Sequence, residues 1–116
     1  MSAWTSSGGL TVQSITAHAG TFAAQGNTTT GATYAKKTLP STYTNAYARV
    51  YFNILSQTSQ INLLRLRTAA DGSIAYVYVD TAGKLALRND AGAATFTSTT
   101  TVSSGSGWHA LELHAV

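Results

Sequence analysis

Hydrophobic and polar residues alternate most cleanly between Asn45 and Leu55. Ala46, Ala48, Val50, Phe52 and Ile54 interleave there with Tyr47, Arg49, Tyr51 and Asn53. A period of two places the two sets on opposite faces of a β-strand, because successive Cβ atoms leave the pleat in opposite directions. The first set suits a core. The second carries phenols, a guanidinium and an amide. Three more strands are expected at short spacing, from Ile61 to Thr68, Ser73 to Val79 and Lys84 to Arg88. Asp71-Gly72 marks a hairpin turn, and Asp80-Thr81-Ala82-Gly83 marks the next.

The pattern is weaker toward the N-terminus. Gly8 to Gln13 predicts a short strand, and Gly20 to Gly26 a second with Phe22 and Ala24 on one face. A polar connection over 27–32 leads to a strand from Thr33 to Leu39 that Pro40 stops. Beyond Arg88, Asn89 to Gly92 reads as a turn and Thr95 to Thr97 as a short strand. Thr99 to Gly107 reads as a Ser/Thr/Gly loop or irregular edge, and Trp108 to Ala115 as a strong final strand. The expected core joins Ala46, Val50, Phe52 and Ile54 with Leu64, Leu66, Ala75, Val77, Val79, Leu85, Leu87, Leu111 and Leu113. Trp4 and Trp108 are expected in the core or packed at an edge. No window of helical length holds a 3.6-residue period, and no repeat of fixed period suggests a propeller or β-helix. The predicted class is all-β, an antiparallel sandwich, jelly roll or barrel; apolar residues on both faces of several strands favour the sandwich.

Composition narrows the picture. A chain of 116 residues predicts one domain, 1–116. Charged residues supply only 9% of it, so Thr, Ser, Asn and Gln must make the polar surface, and cysteine is absent. The net charge of +3 arises because acids are few. Lys36, Lys37, Arg49, Arg65, Arg67, Lys84 and Arg88 are spread out rather than massed, which argues against nucleic acid as a partner. No apolar run is long enough to span a bilayer, and no charged-then-apolar leader pattern opens the chain. A Thr/Ser/Gly/Ala-rich sequence poor in Lys and Glu fits secreted bacterial β-domains, so the expected location is secreted or cell-surface.

The run from Tyr47 to Leu55, Leu63-Leu64-Arg65-Leu66-Arg67, Asp80 and Gly83 before Lys84-Leu85-Ala86-Leu87-Arg88-Asn89, and Ser106-Gly107-Trp108-His109-Ala110-Leu111-Glu112-Leu113 together resemble the concanavalin A-like jelly-roll superfamily. Within it the likeness is to the laminin-G-like modules of bacterial secreted proteins. Gly8-Gly9 and His18-Ala19-Gly20-Thr21-Phe22 resemble the first hairpin of such modules. The resemblance implies further strands after the Trp-His strand. The chain is therefore expected to be a compact variant, a fragment, or a strand-exchanging unit that forms a homo-oligomer.

Catalysis is not expected. Glycoside hydrolysis needs two carboxylates roughly 5–9.5 Å apart, whereas Asp71, Asp80 and Asp90 fall in predicted turns and Glu112 stands alone on its strand. His18, His109, His114 and many serines leave a Ser–His arrangement open to composition. The nearest approach to a nucleophile elbow, Ser104-Gly105-Ser106-Gly107, lacks a strand-to-helix context. His109 and His114 face opposite ways, and Glu112 with His114 makes two ligands rather than a metal site. A calcium ion held by Asp80 or Asp90 with backbone carbonyls is the option the resemblance implies; turn formation is the favoured role for both residues.

Binding is the stronger expectation. Tyr47, Arg49 and Tyr51 share a strand face, as do Arg65 and Arg67 on the next strand, Tyr76 and Tyr78 on the third, Arg88 on the fourth, and Glu112 with His114 on the last. Gathered in one concave sheet, these residues would offer sugar rings aromatic faces, and hydroxyls planar donors and a carboxylate. The expected role is a non-catalytic extracellular recognition module for a glycan. The plain alternative is that the same residues pair across strands and solvate a sheet. A functional alternative is a structural or self-assembling subunit associating through sheet edges.

Overall fold

The structure, a computed structural model, describes residues 3–27 and 32–116, so most of the expected 27–32 connection lies outside the described residues. Among the described residues there is no helix, and every strand pairing is antiparallel. The chain divides into two compact units, Met1–Tyr43 and Thr44–Val116.

The first unit is made of two ribbons. β1 (Ser6–Gly8) pairs with β4 (Tyr34–Lys36), and β2 (Leu10–Gln13) pairs with β3 (Ala23–Gly26). The expected Gly8–Gln13 strand is split at Gly9, whose φ is +64°. A Cβ there would sit 2.9 Å from the Ala32 carbonyl oxygen, so glycine is required on two counts. Past β2 the Gln13 amide closes the loop, donating from Nε2 to the Thr16 carbonyl at 2.6 Å and accepting from the Ile15 and Thr16 N–H groups. Phe22 falls outside β3 and is 65% exposed, so the expected Phe22/Ala24 face does not form. Trp4 is exposed rather than packed, and no described residue of this unit is buried. Side chains dominated by Thr, Ser, Gly and Ala give a two-stranded ribbon too little to bury.

The second unit is an antiparallel β-sandwich. One layer is a ribbon of β5 (Ala46–Asn53) and β10 (Trp108–Ala115), with Val50 opposite Leu111 and Ala48 opposite Leu113. The other is a meander of β6 (Ile61–Arg67), β7 (Ser73–Val79), β8 (Lys84–Asn89) and β9 (Ala94–Thr101) in sequential order. β9 is longer than the predicted Thr95–Thr97. Its threonines are β-branched and pair along β8 with a register shift, over residues that composition had suggested were a loop or irregular edge.

The alternation from Ala46 onward holds in β5, whose residues run partly buried and exposed by turns up to Phe52. Ile54, Val79 and Val102 form the buried cluster, with Phe52, Ile61, Leu63 and Leu85 packed against it. Val77, Ala86 and Leu111 are also buried. The layers are tied at one end by the β9–β10 loop, where Val102 N donates to Gly83 O and Gly105 N to Ile54 O, each at 2.7 Å. Between the layers an open, mostly apolar cleft of about 350 Å³ runs past Val77, Leu85 and Leu87 on the sheet and Leu111 and Leu113 on the ribbon. Phe96 on β9, opposite Leu87, is left 62% exposed.

Candidate functional site

The expected single hollow does not form. The inner faces of both layers are mostly apolar, so the aromatic and charged residues singled out above lie on the two outer faces and divide into two groups. This follows from the sandwich itself: a strand in either layer has one face to give the core, and alternation sends everything else away from it. Tyr47, Arg49, Tyr51 and Glu112 lie on the ribbon. Arg65, Tyr76, Tyr78 and Arg88 lie on the four-stranded sheet.

On the ribbon the side chains satisfy one another. Tyr47 stacks on His114 with ring centroids 4.0 Å apart and planes 3° apart, as their direct cross-strand pairing requires. His114 Nε2 meets Asn45 Oδ1 at 2.9 Å. One pair along, Arg49 donates from Nε and Nη2 to Glu112 Oε2 at 3.0 and 2.6 Å. That bond, followed by the carboxylate's charge, raises the Arg49 pKa above its ordinary value. The pair is open to solvent on both sides. On this face the predicted residues therefore pair across strands at a solvated surface.

The outer face of the meander is built differently. Register places Arg65 opposite Tyr76, Tyr76 opposite Arg88, and Arg88 opposite Thr95, a single row across four strands. Arg65 Cζ lies 4.3 Å from the Tyr76 ring centroid, a cation–π contact. Tyr78, two residues on and so on the same face, brings its ring centroid to 5.5 Å from that of Tyr76 at 38°. Arg88 donates from Nε to Asp90 Oδ1 at 3.1 Å and from Nη1 to Thr95 Oγ1 at 3.2 Å. Asn62, opposite Tyr78, accepts from Gln60 Nε2 at its Oδ1, leaving its amide group at the rim. Two rings, two guanidinium groups, a carboxylate and an amide thus share one sheet face.

Asp90 fastens this arrangement. Its carboxyl is held below the ordinary value of 3.8, first by the nearby Ser73 hydroxyl and then by Arg88, with a weaker pull from Arg65. The Ser73 hydroxyl is buried and reaches no acceptor in full hydrogen-bonding geometry, so the well-formed bond is the one from Arg88. A depressed carboxyl contributes stability that is present above the unfolded-state value and disappears as pH falls through the folded-state value. Asp90→Asn should therefore lower the melting temperature near neutral pH, and the gap to the parent protein should close below pH 3.8. Thermal melts at neutral pH and at about pH 2 check this; an equal gap at both would remove Asp90 from the linkage.

Arg67 joins neither group. A register shift follows Leu66, and Arg67 Nη1 turns onto the hairpin, donating to the Asp71 carbonyl at 2.7 Å. Asp71 itself adopts φ 68°, the left-handed conformation that Asp tolerates in turns. Asp80 caps its turn, Oδ1 accepting from the Ala82 and Lys84 N–H groups at 2.9 and 2.8 Å. Sequence reasoning placed Asp90 among the turn formers and missed its bond to Arg88; the two-residue spacing at the end of a strand is the signal it left. Ser106 and His109 also come together, at 2.8 Å. The Ser106 hydroxyl donates to the Ser103 carbonyl at 2.5 Å, an arrangement that matches the His109 tautomer carrying its proton on Nε2. A serine bound this way staples its loop.

Comparison with protein-family models, with curated proteins and with solved structures finds no match.

Proposed function

We propose that the chain is a non-catalytic recognition module that binds carbohydrate on the outer face of the β6–β9 meander. The observation that carries this is the row Arg65–Tyr76–Arg88 with Tyr78 beside it, in which flat apolar rings adjoin fixed planar donors and an ionised acceptor. Sugars present that pairing in reverse: C–H faces to rings, hydroxyls to donors and acceptors. The resemblance to concanavalin A-like jelly-roll modules supports the same role, and with it an extracellular setting. The site is confined to Arg65, Tyr76, Tyr78 and Arg88. Tyr47, Arg49, Tyr51, Arg67 and Glu112 are assigned to the framework. Binding of the intact chain to an immobilised panel of neutral and acidic glycans tests the proposal; a panel with no hits would end it.

A second reading, self-association, has its own observation. Ile15 is 94% exposed, and Val12, Phe22, Tyr34, Leu39 and Tyr43 are exposed in a unit without a buried residue among those described. Ribbons of two strands are marginal unless something covers them. On this reading the chain is a homo-oligomer that covers these residues. Light scattering should then give a mass above the 12.1 kDa of one chain; a monomer at high concentration would rule the reading out.

A further inference from the structure

Among the described residues, the ion pairs leave one arginine over. The chain's acids are Asp71, Asp80, Asp90 and Glu112. Glu112 holds Arg49, Asp90 holds Arg88, and Asp71 lies within 3.6 Å of Arg67. Asp80 Oδ1 is taken by two backbone N–H groups. Arg65 is the remaining arginine. It is exposed, its field reaches Asp90, and its contact is the Tyr76 ring, which accepts none of its N–H bonds in the guanidinium plane. A ring beneath a guanidinium fixes the plane of the group and leaves its edge, with its parallel N–H donors, facing outward.

That arrangement suits a planar or tetrahedral oxyanion, which takes two parallel N–H bonds from one guanidinium. The surrounding face agrees in sign. Arg65 and Arg88 stand against Asp90, an excess of one positive charge. Lys84, four residues before Arg88 on the same face of β8, adds another cation, with the Asp80 carboxylate bound to its backbone N–H. We infer that the glycan recognised by this face is acidic, with a carboxylate or sulfate of the sugar seated on Arg65 and the adjoining ring stacked against Tyr78. This rests on the carbohydrate reading above and narrows it to a ligand class.

The test compares sodium polygalacturonate with the same polymer fully methyl-esterified, which keeps the sugar faces and loses the charges. Dextran sulfate and uncharged dextran form a second pair. Affinity electrophoresis of the intact chain should show retardation by at least one charged polymer and at least tenfold weaker binding to its uncharged partner. Arg65→Gln should weaken the charged interaction about tenfold, with Arg65→Lys in between, since an ammonium keeps the charge and loses the fork. Retention should fall as salt rises past about 0.15 M, because the charges are exposed. Polygalacturonate binding points to a carboxylate ligand and dextran sulfate binding to a sulfate. Equal binding to charged and uncharged partners would overturn the acidic class while leaving carbohydrate recognition standing. Binding to charged polymers that survives Arg65→Gln would overturn the assignment to Arg65. Uncharged dextran bound through Tyr76, with neither charged polymer bound, would do the same.

Discussion

Replacing Ile54 with alanine should cost the second unit about 2–5 kcal/mol, the range for truncating a well-buried large aliphatic side chain. Ile54 is buried beyond the end of β5 and meets Val79 and Val102, so it joins the ribbon, the meander and the β9–β10 loop at one point. Its carbonyl also accepts the Gly105 N–H, a bond alanine would keep, so the substitution removes packing without removing the tie. A domain of this size holds only roughly 5–15 kcal/mol in all, and its cluster is small. The loss should therefore appear as a large fall in the urea midpoint with an unchanged slope. Val79→Ala, at 0% exposure in the same cluster, should follow at about 2 kcal/mol or more. A change under about 1 kcal/mol for Ile54→Ala would mean that the layers are not joined there.

What could be read from the chain beforehand divides along physical lines. Strands with strong alternation, β5 and β10 above all, were legible because their burial pattern and their sequence pattern are the same fact. β9 was underestimated because threonine is at home in both strands and loops. The first unit was harder still, since no described residue of its ribbons is fully buried and little periodicity is left to find. The candidate site was legible residue by residue but not as a place. Alternation says that Tyr47 and Tyr76 each face away from a core; it does not say which layer carries each strand. That depended on β10 returning to pair with β5, a non-local contact that no local pattern encodes.

The same division makes the functional prediction sharp. Tyr76→Ala should abolish glycan binding, or weaken it by more than tenfold, while Tyr47→Ala should leave it unchanged. Loss of the Tyr76 ring removes a stacking surface, the support under Arg65 and the neighbour of Tyr78 together. Stacked aromatic contacts of this kind contribute about 0.5–1.5 kcal/mol beyond their buried area, and freeing Arg65 adds the entropy of reordering a long side chain on binding. Tyr47, 68% exposed on the opposite layer, loses only its stack on His114. Tyr76→Phe separates the contributions: the ring and the cation–π contact persist, so affinity should fall by no more than the share of one hydroxyl, about 0.5–1.5 kcal/mol. Isothermal titration with whichever glycan the panel selects, beside melting curves showing that each variant is folded, reads out all three. Equal losses for Tyr47→Ala and Tyr76→Ala would show that the ligand does not distinguish the two faces, and the meander could no longer be the site.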